Sequence, residues 1–124
     1  MEDFILEGTS KTPKIVFKHK SGLLEISGKS IPENSAHLFG PVVNWVEEYI
    51  SNPASNTTLI IKLEYFNTSS SKYLVEIFRK FEVLFKDGKK VLIKWFYEEE
   101  DEDMLESGQD FKDIIKVPVE LNMI

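Results

Sequence analysis

Three apolar runs rich in β-branched and aromatic residues, each followed by a stretch of helical periodicity, constrain what this chain can fold into. The first runs from Leu23 to Ser27, the second is "TTLIIKLEYF" (57–66) and the third is "KKVLIKWFY" (89–97). After the first, Pro41 suits the opening position of a helix, and Val42, Trp45, Val46 and Tyr49 recur at helical spacing until "SNP" (51–53) stops it. After the second, Leu74, Ile77, Phe78, Phe81, Leu84 and Phe85 make one continuous apolar stripe that Asp87-Gly88 closes. After the third, Met104, Leu105, Phe111, Ile114 and Ile115 mark a last helix, expected to be interrupted at Gly108. Strands alternating with helices in this way imply parallel strands joined by crossover helices.

Ahead of this series, Ile15–Phe17 and Leu23–Ser27 flank Ser21-Gly22, which reads as an antiparallel hairpin. Period-2 alternation puts Lys14, Lys18 and Lys20 opposite Ile15 and Phe17, a pattern that protects an edge strand from aggregation. In the second strand Leu59, Ile61, Leu63 and Tyr65 are expected on one face, and Ile60, Lys62, Glu64 and Phe66 on the other. In the third, Val91, Ile93, Trp95 and Tyr97 share a face, and Lys94 on the reverse is in position to pair with Glu64. Charges at 62, 64 and 94 imply that one sheet face is incompletely covered. The fold class is therefore α/β: a mixed, mostly parallel sheet with an N-terminal hairpin and crossover helices, organised as one domain over residues 1–124.

Composition narrows the function. A net charge of −6 disfavours nucleic acid and anionic membrane as main partners. No segment approaches the ~20 apolar residues of a membrane span, so no membrane insertion is expected. "MEDFILEG" lacks the basic and apolar regions of a secretory signal, and the expected location is cytoplasmic. With no cysteine, thiolate metal sites and cysteine nucleophiles are excluded. His19 and His37 stand alone, without an assignable Ser-His-Asp arrangement. No cofactor is implied and nothing supports an enzyme.

Two polar clusters remain. The row Asn67, Thr68, Ser69, Ser70, Ser71, Lys72 lies where the second strand gives way to the second helix, the end of a parallel sheet where ligands gather. Capping of the helix N-terminus needs one of these side chains, not five. A nucleotide cradle is disfavoured because the row has no glycine and no GxxxxGK[ST] pattern. An exposed hydroxyl that accepts a covalent phosphate stays open beside plain capping. The second cluster is Glu98, Glu99, Glu100, Asp101, Glu102 and Asp103. It lacks the Asp-x-Asp-x-Asp-Gly spacing of a calcium loop. A solvated acidic helix start, favoured by the dipole and able to face a basic partner, is the simpler reading. A small metal-dependent enzyme built on 98–103 is its rival, and a purely structural subunit is a third reading.

Taken together, "LEISGKSIPEN" (24–34), "PVVNWVEEY" (41–49), "LEYFNTSSSK" (63–72) and "WFYEEEDEDMLESGQDF" (95–111) resemble the SiaC family of bacterial regulatory phosphoproteins. These are STAS-like domains related in architecture to anti-sigma-factor antagonists. The resemblance spans Pro13 to Pro118 and implies a partner switch. A cognate protein kinase would phosphorylate the threonine of N-T-S-S-S-K, here Thr68, and a PP2C-type phosphatase would reverse it. Asn67, Ser69, Ser70, Ser71 and Lys72 would shape the surface that kinase and target read. The unphosphorylated form would bind and activate a diguanylate cyclase, raising cyclic di-GMP and promoting biofilm; an anti-sigma-factor-antagonist-like role is the alternative target.

Overall fold

The computed structural model describes residues 1–124. Its strands are β1 (Phe4–Leu6), β2 (Lys14–Lys18), β3 (Leu23–Ser30), β4 (Asn56–Phe66), β5 (Lys90–Tyr97) and β6 (Val119–Met123). The helices α1 (Ser35–Ser51), α2 (Thr68–Lys86) and α3 (Glu102–Ile114) follow β3, β4 and β5. All six strands form one sheet in chain order; β1–β2 and β2–β3 are antiparallel, and β3 through β6 are parallel. The expected mixed α/β architecture is present, and the two short outer strands extend it beyond the elements expected above.

Because every parallel connection advances in the same direction, right-handed crossovers put all three helices on one sheet face. Burial follows that arrangement. Phe17, Leu24, Leu59, Ile93 and Val119 are buried on the helix side, while Val16, Glu25, Ile60, Lys94 and Glu120 on the reverse face are not. Gly22 secures the hairpin to the parallel half. It has φ +68°, its carbonyl accepts from Thr58 N–H at 2.8 Å, and a Cβ there would lie 2.0 Å from the Asn56 carbonyl oxygen.

Five expectations need correction. Strand β2 is not an edge: the short β1 pairs along it, so its lysines do not guard an open strand. Helix α1 begins at Ser35, not at Pro41, because Asn34 caps it six residues earlier; Pro41 sits inside on the exposed side, where water can serve the carbonyl that proline leaves unbonded. Between Gly28 and Lys29 the β3–β4 register slips, so that Leu63 and Tyr65 face consecutive β3 residues and Glu64 is bulged out. The bulge reverses the alternation. Tyr65 turns to solvent, and Phe66 packs on Trp95 and Phe111 with ring centroids 5.9 and 6.1 Å away. Glu64 and Lys94 do not pair, because the β4–β5 register sets Lys94 opposite Ile60, and Lys62 Nζ sits 4.8 Å above the Phe96 ring. Finally, Gly108 does not interrupt α3. It is buried within the helix, where a Cβ would come 2.5 Å from Trp95 Cδ1.

One buried carboxylate ties α2 to the end of α3 and to the segment that leads into β6. Glu82 of α2 receives two 3.1 Å bonds from Arg79 and a 2.6 Å bond from the Lys116 N–H, while Arg79 also donates to the Ile114 carbonyl at 2.9 Å. Burial pushes the Glu82 carboxyl up, but the Lys116 N–H and the Arg79 bonds and charge outweigh it and hold it below the ordinary 4.5. A carboxylate with a depressed native pKa contributes stability above its unfolded value and loses it as pH falls through the native one. Glu82→Gln is therefore expected to cost about 1–3 kcal/mol at neutral pH. In urea melts that difference should shrink as pH drops below 4.5. Gly108→Val should cost at least about 1–3 kcal/mol in the same assay, through overpacking against Trp95.

Candidate functional site

The carboxyl ends of β3, β4 and β5 each lead into a helix capped by an Asn or Asp. Asn34 accepts from the His37 N–H at 3.1 Å, Asn67 from the Ser70 N–H at 2.9 Å and Asp101 from the Met104 N–H at 3.0 Å. The three helix N-termini thus share one edge of the sheet, each with free N–H groups and the positive end of its dipole.

At the middle junction the hydroxyl row is divided by its bonding. Ser70 is fully buried; its hydroxyl donates to the Ser30 carbonyl at 3.0 Å and lies 2.7 Å from Ser30 Oγ. A hydroxyl carries one proton, so the Ser30 hydroxyl must be the donor in that second bond. Ser69 Oγ donates to Asn67 Oδ1 at 3.1 Å and sits 2.5 Å from Ser35 Oγ, which by the same count donates to Ser69. The Asn67 N–H bonds the Ser30 carbonyl at 2.9 Å, closing the network. Asn67, Ser69 and Ser70 therefore weld the start of α2 to the end of β3 and the start of α1.

Thr68 is different. It is the first residue of α2, it is exposed, and its hydroxyl engages no partner within the chain. Ser71 is half-buried without a side-chain bond, and Lys72 is exposed one turn along from Thr68. The partners Ser30 and Ser35 were not singled out from the sequence. They lie 40 and 34 positions from the residues they bond, and only the parallel crossover brings them together.

The acidic run occupies the next junction on the same edge. Glu98, Glu99 and Glu100 are exposed in the loop after β5, Asp101 caps α3, and Glu102 and Asp103 fill its first turn. A recess of ≈ 170 Å³ lined by Glu64, Tyr65, Asp101 and Asp103 separates this run from the end of β4. No three His, Asp or Glu side chains converge to hold a metal ion, so a metal-dependent site at 98–103 lacks a ligand set. His19 bonds the Asn52 carbonyl at 2.8 Å, far from both clusters in the chain's layout, and His37 is exposed on α1. No helix is long and apolar enough to cross a membrane.

Comparison with known proteins matches residues 6–124 to the model of the SiaC family of regulatory phosphoproteins. The chain belongs to the SiaC family. An uncharacterized protein of Pseudomonas aeruginosa (strain UCBPP-PA14) is 34% identical over 118 residues, covering 95% of this chain and 94% of the relative. SiaC of P. aeruginosa superposes with a TM-score of 0.91 at 31% identity, over the full length of both chains. A crystal structure of the diguanylate cyclase SiaD in complex with its activator SiaC gives a TM-score of 0.93 at 32% identity, covering 98% of this chain and 100% of that one.

The division of labour at the α2 junction predicts unequal costs of substitution. Asn67→Ala should lower stability by about 1–2 kcal/mol through loss of the cap. Thr68→Ala should stay within about 0.5 kcal/mol of wild type, as for an exposed side chain without partners. Urea denaturation of the two variants at neutral pH checks the contrast.

Proposed function

We propose that this chain is a phosphorylation-controlled partner switch in the cytoplasm, acting by binding and not by catalysis. Its unphosphorylated form binds and activates a diguanylate cyclase. A cognate kinase adds phosphate to Thr68 and a PP2C-type phosphatase removes it. The observation that carries this reading is end-to-end likeness to an activator solved in complex with its cyclase.

The local chemistry supports Thr68 as the acceptor. Among the row 67–72 it combines exposure with a hydroxyl that holds nothing else in place. A phosphate there adds about −1.5 to −2 charges at neutral pH. The α2 N-terminus stabilises such charge by about 0.3–1 kcal/mol, so the fold tolerates the modification. A partner that packs against the same edge must instead desolvate the dianion. Without a cation to meet it, the loss amounts to several kcal/mol, at tenfold in affinity for about each 1.4 kcal/mol. Asn67, Ser69, Ser70, Ser71 and Lys72 frame the acceptor, and Glu98 to Asp103 give the same edge an acidic flank for a basic part of the target.

The test uses the purified chain with the diguanylate cyclase of its own organism. Unmodified protein and Thr68→Ala are expected to bind and to raise cyclic di-GMP synthesis. Protein carrying genetically encoded phosphothreonine at 68 should bind at least about tenfold more weakly. Equal binding by modified and unmodified forms would discard the switch.

A further inference from the structure

The sheet face opposite the helices is bare, and its side chains form an ordered pattern. Register fixes a transverse row running Val16, Glu25, Ile60, Lys94, Glu120 from β2 to β6. Below it, Leu23 on β3 lies level with Thr58 on β4 and Leu92 on β5. Glu25 and Lys94 are half-buried, yet neither makes an ion pair within the chain. Ile60 stands between them, and two strand spacings keep them about 10 Å apart. Leu23 is 45% exposed, and Ile60 and Leu92 are only half-covered.

We propose that this face pairs with the same face of a second copy of the chain, about a two-fold axis running along β4. Such an axis exchanges β3 and β5 across the interface. It sets Glu25 against Lys94 of the other copy, twice over, brings Leu23 onto Leu92 twice, and stacks Ile60 on its own counterpart. Face-to-face sheets pack about 10 Å apart at a small angle, which long Glu and Lys side chains near the axis can bridge. A two-fold axis perpendicular to the strands would set Glu25 against Glu25 and Lys94 against Lys94, so the charge pattern selects the first arrangement. Lys62 lies on β4, one step along the axis from Ile60, and meets its own counterpart; leaning over the Phe96 ring of its own β5 carries the two ammonium groups to opposite sides of the axis. The phosphoacceptor edge stays outside the interface, and the dimer presents two copies of Thr68. The inference does not depend on the switch reading.

The patch spans five strands, β2 to β6, about 20 Å across. It is a small interface, and self-association is expected at about 10–500 µM. Sedimentation equilibrium over that range reads it out. Glu25→Lys and Lys94→Glu alone should each weaken the dimer at least about tenfold, because each sets like charges face to face. Combining the two substitutions should restore it. Glu76→Lys, which changes net charge as Glu25→Lys does but on an exposed helix position, should leave it unaltered. A wild type that stays monomeric throughout overturns the proposal and leaves the face to another partner. So does single-reversal behaviour indistinguishable from wild type, or a double variant as weak as the singles.

Discussion

Trp95 is the point on which the upper half of the molecule depends. Its indole N–H bonds the Met104 carbonyl at 2.9 Å, which draws the first turn of α3 onto β5. One flank accepts Phe111 at 5.2 Å and Phe66 at 5.9 Å, and Phe111 in turn meets Phe78 of α2 edge-on at 5.3 Å. The indole edge lies so close to α3 that only glycine fits at 108. Through these contacts one buried side chain sets the positions of β4's end, α2 and α3, the elements that deliver Thr68 and the acidic run to a common edge. Phe66 is the direct link: with its ring anchored, the next residue is fixed as the cap of α2 and the one after it is the exposed threonine.

The junction at α2 shows how a run of similar residues can divide, with some committed to the architecture and one left free of it. Three members of the row spend their hydrogen bonds on joining α2 to β3 and α1. Thr68 is held in place by that network without contributing a bond to it. A side chain so placed can change its charge without withdrawing anything the fold relies on. The same edge carries two neutral asparagine caps and one aspartate cap, so its local field passes from the bare positive helix ends at α1 and α2 to an acidic flank at α3.

Much of this was legible in the sequence, for reasons that also explain the omissions. Helix and strand periodicity located every long element, because each buries one stripe against a common core. The start of α1 was hidden because Pro41 mimics an opening residue, whereas Asn34 had only its capping chemistry to mark it. The exchange of Tyr65 and Phe66 escaped because strict alternation assumes an unbroken ladder, and a bulge at Glu64 leaves no signature in composition. Gly108 resembled a helix breaker when its role is close packing against a residue thirteen positions earlier. Of the two outer strands, β1 at three residues is too short to show a period, whereas β6 over Val119–Met123 does alternate apolar and polar residues and was legible. The row 67–72 and the run 98–103 were both visible as polar clusters. Ser30 and Ser35 were not, since their meaning arises only from long-range contact.

The strand order has its own consequence. Every strand lies beside its predecessor in the chain, and none is inserted between two earlier ones. The sheet can therefore be laid down in the order in which the ribosome supplies it, hairpin first, each crossover adding one strand to a finished edge. No step waits for a distant segment, which keeps contacts local by the standards of parallel sheets and favours rapid folding. At every intermediate length the newest strand exposes an open edge in addition to that of the N-terminal side, and it moves along with synthesis until β6 covers β5. The acidic loop between β5 and α3 emerges before β6, so the β5 edge that awaits its last partner stands beside the most charged segment of the chain.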